Sequence, residues 1–150
     1  MTIIRIAKEF RFEAAHMLKD YDGLCANNHG HSYKLIVTIA GQISEDKSSP
    51  KLGMLIDFGD LKKIVFEEII DKYDHALVVN SEVPIETKEK MTEITSRIIF
   101  TPFQPTCENL IADFASKIRS RLPAPIVLFS LRLHETSSSF AEWFASDNPI

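Results

Sequence analysis

At 150 residues, with 45% hydrophobic and 25% charged side chains, the chain has the make-up of one globular domain able to bury a single core. A net charge of −4, with no basic stripe interleaved with aromatics, argues against nucleic acid as a partner, though not against a small anion in a local cationic pocket. No apolar run approaches the roughly 20 residues needed to cross a bilayer, and the first residues lack a secretory core. The expected location is therefore the cytoplasm, where the two cysteines, Cys25 and Cys107, stay reduced.

The first element, Ile4 to His16, alternates. Ile4, Ile6, Phe10, Phe12, Ala14 and His16 share one parity, with Lys8 as the one polar intruder, while Arg5, Glu9, Arg11 and Glu13 share the other. Asp20-Tyr21-Asp22-Gly23 marks a turn, and a second strand follows over His29 to Gly41, with His29, His31, Tyr33, Leu35, Val37 and Ile39 on one face. Pleating then puts His16, His29 and His31 on the apolar faces, at the strand ends that meet in a hairpin. Three imidazoles suit Zn²⁺ and leave its fourth position open to water or substrate, as a catalytic zinc requires. Cys25 beside them is either a fourth ligand, closing the site, or a thiol of lowered pKa that carries protons.

Beyond a polar loop, Asp60 to Tyr73 reads as a helix with the apolar stripe Leu61, Ile64, Val65 and Ile69. Asp74-His75 at its end is either a solvated terminus or a carboxylate-oriented imidazole. Glu82 to Glu93 is a charged short helix or a loop, and Arg97 to Phe103 an extended segment suited to a sheet edge. A second helix begins at Pro105-Thr106, with Thr106 as N-cap, and stops before Pro123. Its buried positions are Leu110, Phe114, Ile118 and Leu122. Strands over Ile126 to Glu135 and about Phe140 to Ala145 close the chain. In the former, Val127, Phe129, Leu131, Leu133 and Glu135 share a face, with apolar Ile126 and Leu128 on the other. A strand apolar on both sides is covered on both, which favours sheets closing together across subunits.

Glu135 ends an apolar face. It is either turned to solvent or an anchor for a planar ligand with two parallel N–H donors, such as an amino-pyrimidinone ring. Glu108 either complements the helix dipole or frames the same ligand, with Thr106 beside it. Cys107 reads as a small helix-face residue.

Phe12-Glu13-Ala14-Ala15-His16, Cys25-Ala26-Asn27-Asn28-His29-Gly30-His31, Met54 to Phe58, Tyr73-Asp74-His75-Ala76-Leu77, Pro105-Thr106-Cys107-Glu108-Asn109 and His134-Glu135-Thr136 occur in this order over almost the whole chain. As a set they resemble the 6-pyruvoyl- and 6-carboxy-tetrahydropterin synthase family. The resemblance implies an α+β tunnelling fold: a four-stranded antiparallel sheet with two helices on one face, in the order β-β-α-α-β-β. Three subunits pool such sheets into a barrel, and two trimers stack as a hexamer.

The resemblance also implies Zn²⁺ on His16, His29 and His31, proton transfer by Cys25, Asp74 and His75, and Glu135 gripping the pterin. It shares the site between chains, with zinc and Cys25 from one subunit and Glu135 from a neighbour. The three residues between Cys25 and His29 look like those of the queuosine-pathway carboxy-forming branch. That branch converts 7,8-dihydroneopterin triphosphate to 6-carboxy-5,6,7,8-tetrahydropterin with loss of acetaldehyde and triphosphate. Two other readings stay open: the pyruvoyl-forming synthase, and a non-catalytic zinc-stabilised pterin-binding module in which Cys25 only ligates.

Overall fold

The alternation of the first two strands becomes a long antiparallel hairpin. In the computed structural model, which describes residues 2–21 and 27–150, β1 (Ile3–Met17) and β2 (His29–Gln42) pair from Ile3↔Gln42 to His16↔His29. Phe10, Phe12, Ala14, Tyr33, Leu35, Val37 and Ile39 are buried, so the period of two does select the core face. Lys8, the intruder, is half-buried. Its ammonium stands 5.9 Å from the Phe10 ring centroid and 6.0 Å from that of Phe58.

Asp57 caps α1 (Phe58–Val65) by accepting from the Gly59 N–H at 2.6 Å. The helix runs on through a π-helical turn (Phe66–Ile70) into α2 (Asp71–Tyr73), and the expected stripe of Leu61, Ile64, Val65 and Ile69 is buried. From there the chain departs from the expected order. Ala76–Asn80 forms a strand, β3, that pairs in parallel with β1; α3 (Ile85–Ile94) follows, and then β4 (Ile98–Thr101), parallel to β3. The remaining elements are α4 (Cys107–Arg121), β5 (Val127–His134) and β6 (Phe140–Phe144).

The sheet is therefore six-stranded and mixed, ordered β4-β3-β1-β2-β5-β6, and not the expected four-stranded antiparallel sheet. The four expected strands are its antiparallel part, β1-β2-β5-β6. β3 lacks alternation because every one of its residues is buried. Val78 joins the main core, whereas Leu77 and Val79 meet Val83 and Met91 in a second, smaller one. Met91 belongs to α3, so that helix covers the opposite side of the sheet from α1 and α4, and the expectation of two helices on one face is corrected as well.

A second correction concerns β5. Its pairing with β2 shifts between Thr38 and Ile39, so that Leu128 faces Ile39 while Ser130 faces Thr38. This bulge inverts the parity at the start of the strand. Leu128 is buried with Leu131 and Leu133, while Val127, expected on the core face, is 56% exposed. Phe129 turns outward under the Arg5 guanidinium, 3.8 Å from the ring centroid. Among the described residues no helix is long and apolar enough to cross a membrane.

Candidate metal centre and ligand cleft

The hairpin register sets His16 directly opposite His29, and His31 two residues along β2 points the same way. The ligand atoms of the three imidazoles lie within 4.8 Å of one another. Each ring is oriented differently. His16, at 2% exposure, donates from Nδ1 to the Pro105 carbonyl at 2.7 Å, and His29 donates from Nδ1 to the Asn27 carbonyl at 2.7 Å. A carbonyl only accepts, so both protons sit on Nδ1 and both Nε2 atoms present lone pairs.

Those two Nε2 atoms face each other at 2.7 Å. Two lone pairs so placed repel unless a cation lies between them or one ring is protonated, and protonation is disfavoured at His16. Burial holds its pKa below the ordinary imidazole value, against a smaller upward pull from the Pro105 carbonyl. His31 is also lowered, chiefly by burial, with the Glu135 carboxylate acting the other way. His31 Nε2 is 3.3 Å from Glu135 Oε1 but out of hydrogen-bonding alignment, and this buried atom has no hydrogen-bond partner among the described residues. Three converging imidazole nitrogens, one of them orphaned and two fixed as acceptors, fit a divalent cation of zinc type.

Thr106, Glu108 and Glu135 come together with His16 along one cleft of about 360 Å³. Thr106 is the N-cap of α4, accepting from the Asn109 N–H at 3.3 Å, and Glu108 occupies the first turn. Glu135 follows β5, where its N–H donates to the Ser139 carbonyl at 3.0 Å in a tight turn towards β6. Its carboxylate belongs to the same chain as the histidines it approaches, which corrects the expectation that a neighbour supplies it. Cys107, in the same wall, donates from Sγ to the Leu133 carbonyl at 3.3 Å, and burial pushes its thiol up to about 11. It is no nucleophile at neutral pH.

Asp74 and His75 lie elsewhere. His75 lines a second cleft, of about 500 Å³, with Glu13, Gly30, His31 and Ser32. The Asp74 carboxylate is 3.1 Å from His75 Nδ1 and accepts the Glu13 N–H at 2.9 Å. That backbone bond is the main reason its carboxyl is held below the usual range. His75 itself sits at φ 61°, a left-handed conformation, with its side chain 74% exposed. Cys25, the expected fourth ligand or proton carrier, lies outside the described residues. Sequence reasoning missed the carbonyls of Asn27 and Pro105, which carry no residue signature, and Gln104, whose carboxamide bonds to the Lys19 backbone.

Comparison with known proteins agrees with this architecture. The family model described as 6-pyruvoyl tetrahydropterin synthase matches residues 5–145. A Haemophilus influenzae protein named 6-carboxy-5,6,7,8-tetrahydropterin synthase is 36% identical over 143 residues, covering 94% of this chain and 99% of its own. A Rickettsia conorii protein of the same name is 29% identical, over 93% of this chain and 99% of its own. The solved structure of Caenorhabditis elegans 6-pyruvoyl tetrahydropterin synthase superposes with a TM-score of 0.66 at 26% identity, covering 96% of each chain. The fold is thus shared with a solved pterin synthase. The chain belongs to the 6-pyruvoyl tetrahydropterin synthase family.

Proposed function

We propose that the protein is a zinc-dependent lyase that converts 7,8-dihydroneopterin triphosphate to 6-carboxy-5,6,7,8-tetrahydropterin, releasing acetaldehyde and triphosphate. The observation that carries this reading is the meeting, in one chain, of three metal-ready imidazoles and the Glu135 carboxylate. The Haemophilus influenzae relative, similar over nearly its whole length, favours the carboxy-forming reaction.

His16, His29 and His31 would hold the ion. When bound, it would supply Lewis acidity that polarises the substrate's side-chain oxygens and acidifies neighbouring C–H bonds. Glu135 accepts two parallel N–H bonds from the amino-pyrimidinone ring, a charge-assisted pair that fixes the ring plane. Thr106 and Glu108 border the same cleft and frame the ring. Cys25 and the Asp74-oriented His75 move the protons. Because His75 borders the other cleft, the service of the Asp74–His75 pair to a ligand at Glu135 is read as coming from a second copy of the chain. That reading gives the expected trimer or hexamer a chemical reason.

Incubation of the zinc-loaded protein with 7,8-dihydroneopterin triphosphate, followed by mass spectrometry, tests the proposal. Carboxy-tetrahydropterin with acetaldehyde is the expected product. Pyruvoyl-tetrahydropterin would assign the chain to the reaction named for its Caenorhabditis elegans neighbour. Unchanged substrate with tight pterin binding would leave a binding module.

A further inference from the structure

We propose that Gln104 is a positioning residue for the metal centre: its carboxamide locks the chain just after His16 to the segment whose carbonyl orients the His16 ring. The inference rests on the reading of the three histidines as a metal site. Regular pairing of β1 ends at Met17, which faces Val79 of β3. Two residues later, Gln104 takes over the work of a neighbouring strand. Its Oε1 accepts the Lys19 N–H at 3.0 Å and its Nε2 donates to the Lys19 carbonyl at 2.7 Å, a side-chain copy of a closely spaced antiparallel pair.

The amide is held from both sides. Asn80, at the end of β3, donates from Nδ2 to the same Oε1 at 3.2 Å. The main-chain carbonyl of Gln104 accepts from the Thr106 N–H at 2.8 Å and from Asn109 Nδ2 at 3.0 Å. Pro105 follows with φ fixed by its ring. Its carbonyl is the one that receives the proton of His16 Nδ1 at 2.7 Å.

His16, Lys19, Gln104 and Pro105 thereby close a loop of covalent and hydrogen bonds whose output is the tautomer and direction of one imidazole. Fixing Nδ1–H on a carbonyl is what leaves Nε2 as a donor to metal. If the amide is lost, Lys19 and Pro105 are free to separate, and the ring can turn or exchange its tautomer. Loss of a clamp that merely stabilised the fold would lower the melting temperature and leave the metal affinity of the folded protein unchanged.

The test uses the full chain at a temperature where circular dichroism shows it folded. Gln104→Met keeps the side-chain length and removes all three hydrogen bonds of the carboxamide. Gln104→Glu keeps an acceptor for Lys19 N–H but sets a second oxygen against the Lys19 carbonyl, and it carries the test alone if the Met variant fails to fold. Arg121→Ala, which breaks ion pairs to Glu67 and Glu68, serves as the control for general destabilisation. Zn²⁺ affinity is read by competition with a chromophoric chelator, and site geometry by the visible absorption of the Co²⁺-substituted protein. The Gln104 variants are expected to bind Zn²⁺ about 10–100-fold more weakly, with an altered Co²⁺ spectrum, as outer-shell changes do elsewhere, while Arg121→Ala binds as the native chain does. Affinity within twofold of native in a folded Gln104 variant, or an equal loss in Arg121→Ala, overturns the proposal. If the native protein itself takes up no Zn²⁺, the metal reading fails, and this inference with it.

Discussion

His31→Ala removes an imidazole nitrogen that no described group satisfies, and His29→Ala removes the ring whose Nδ1 donates to the Asn27 carbonyl. If the proposed three-histidine site holds zinc, both variants are expected to lose it while the native chain retains one Zn²⁺; elemental analysis showing full occupancy in both would contradict the site. Glu135→Gln retains shape and exposure but accepts poorly from two ring donors. Losing a charged hydrogen-bond pair costs about 1.5–3 kcal/mol, or roughly 10–150-fold in pterin affinity by calorimetry, with little change in the melting curve. The lowered pKa values of His16 and His31 give the metal-free protein a pH dependence of fixed sign. Above about 6.5 both rings are neutral folded or unfolded. As the pH falls from there through their lower folded values, the unfolded chain takes up protons that the folded chain refuses, so stability is lost. The melting temperature of the metal-free protein should therefore drop between pH 7.5 and pH 5.5, and less steeply in His16→Asn. At this scale the sequence was informative wherever a side chain does the work: parity alone placed His16, His29 and His31 on one face. It was silent about Pro105 and Asn27, because a main-chain carbonyl is the same on every residue.

Whether an element could be read from the sequence depended on what covers it. β1, β2, α1 and α4 each have one wet and one dry side, and the resulting periodicity located them to within a few residues. β3 is dry on both sides, so Ala76–Asn80 carried no alternation to find and its parallel pairing reached β1 from far along the chain. The inward turn of Leu128 was hidden for another reason: a bulge adds a residue to one strand without changing its composition. Two substitutions at adjacent sites examine that bulge. Leu128→Ala is expected to cost about 2–5 kcal/mol in urea unfolding, as buried leucines do. Val127→Ala, at a position exposed within the single chain, should cost clearly less. Equal costs, or the reverse order, would mean that β5 keeps an unbroken pleat.

For the whole molecule, the outer side of the sheet keeps apolar surface at Val127 and Phe140, 56% and 47% exposed, and β6 leaves one edge unpaired. Such surface suits subunit contact, and light scattering is expected to give a trimer or a hexamer. Mixed oligomers then test which residues work across the boundary. His31→Ala combined with Glu135→Gln should stay inactive, because the two side chains meet within one chain. His31→Ala combined with His75→Ala should regain activity if the Asp74–His75 pair serves a neighbour. Failure of the second mixture, with subunit exchange verified, would place each site within one chain. The His16↔His29 pairing carries one more consequence. A slip of one residue between β1 and β2 would move His29 and His31 to the opposite side from His16 and leave no three-nitrogen set. If the proposed site takes an ion, its capture would act as a proofreading step: during folding, a metal would be retained only by chains whose hairpin has already found its correct alignment.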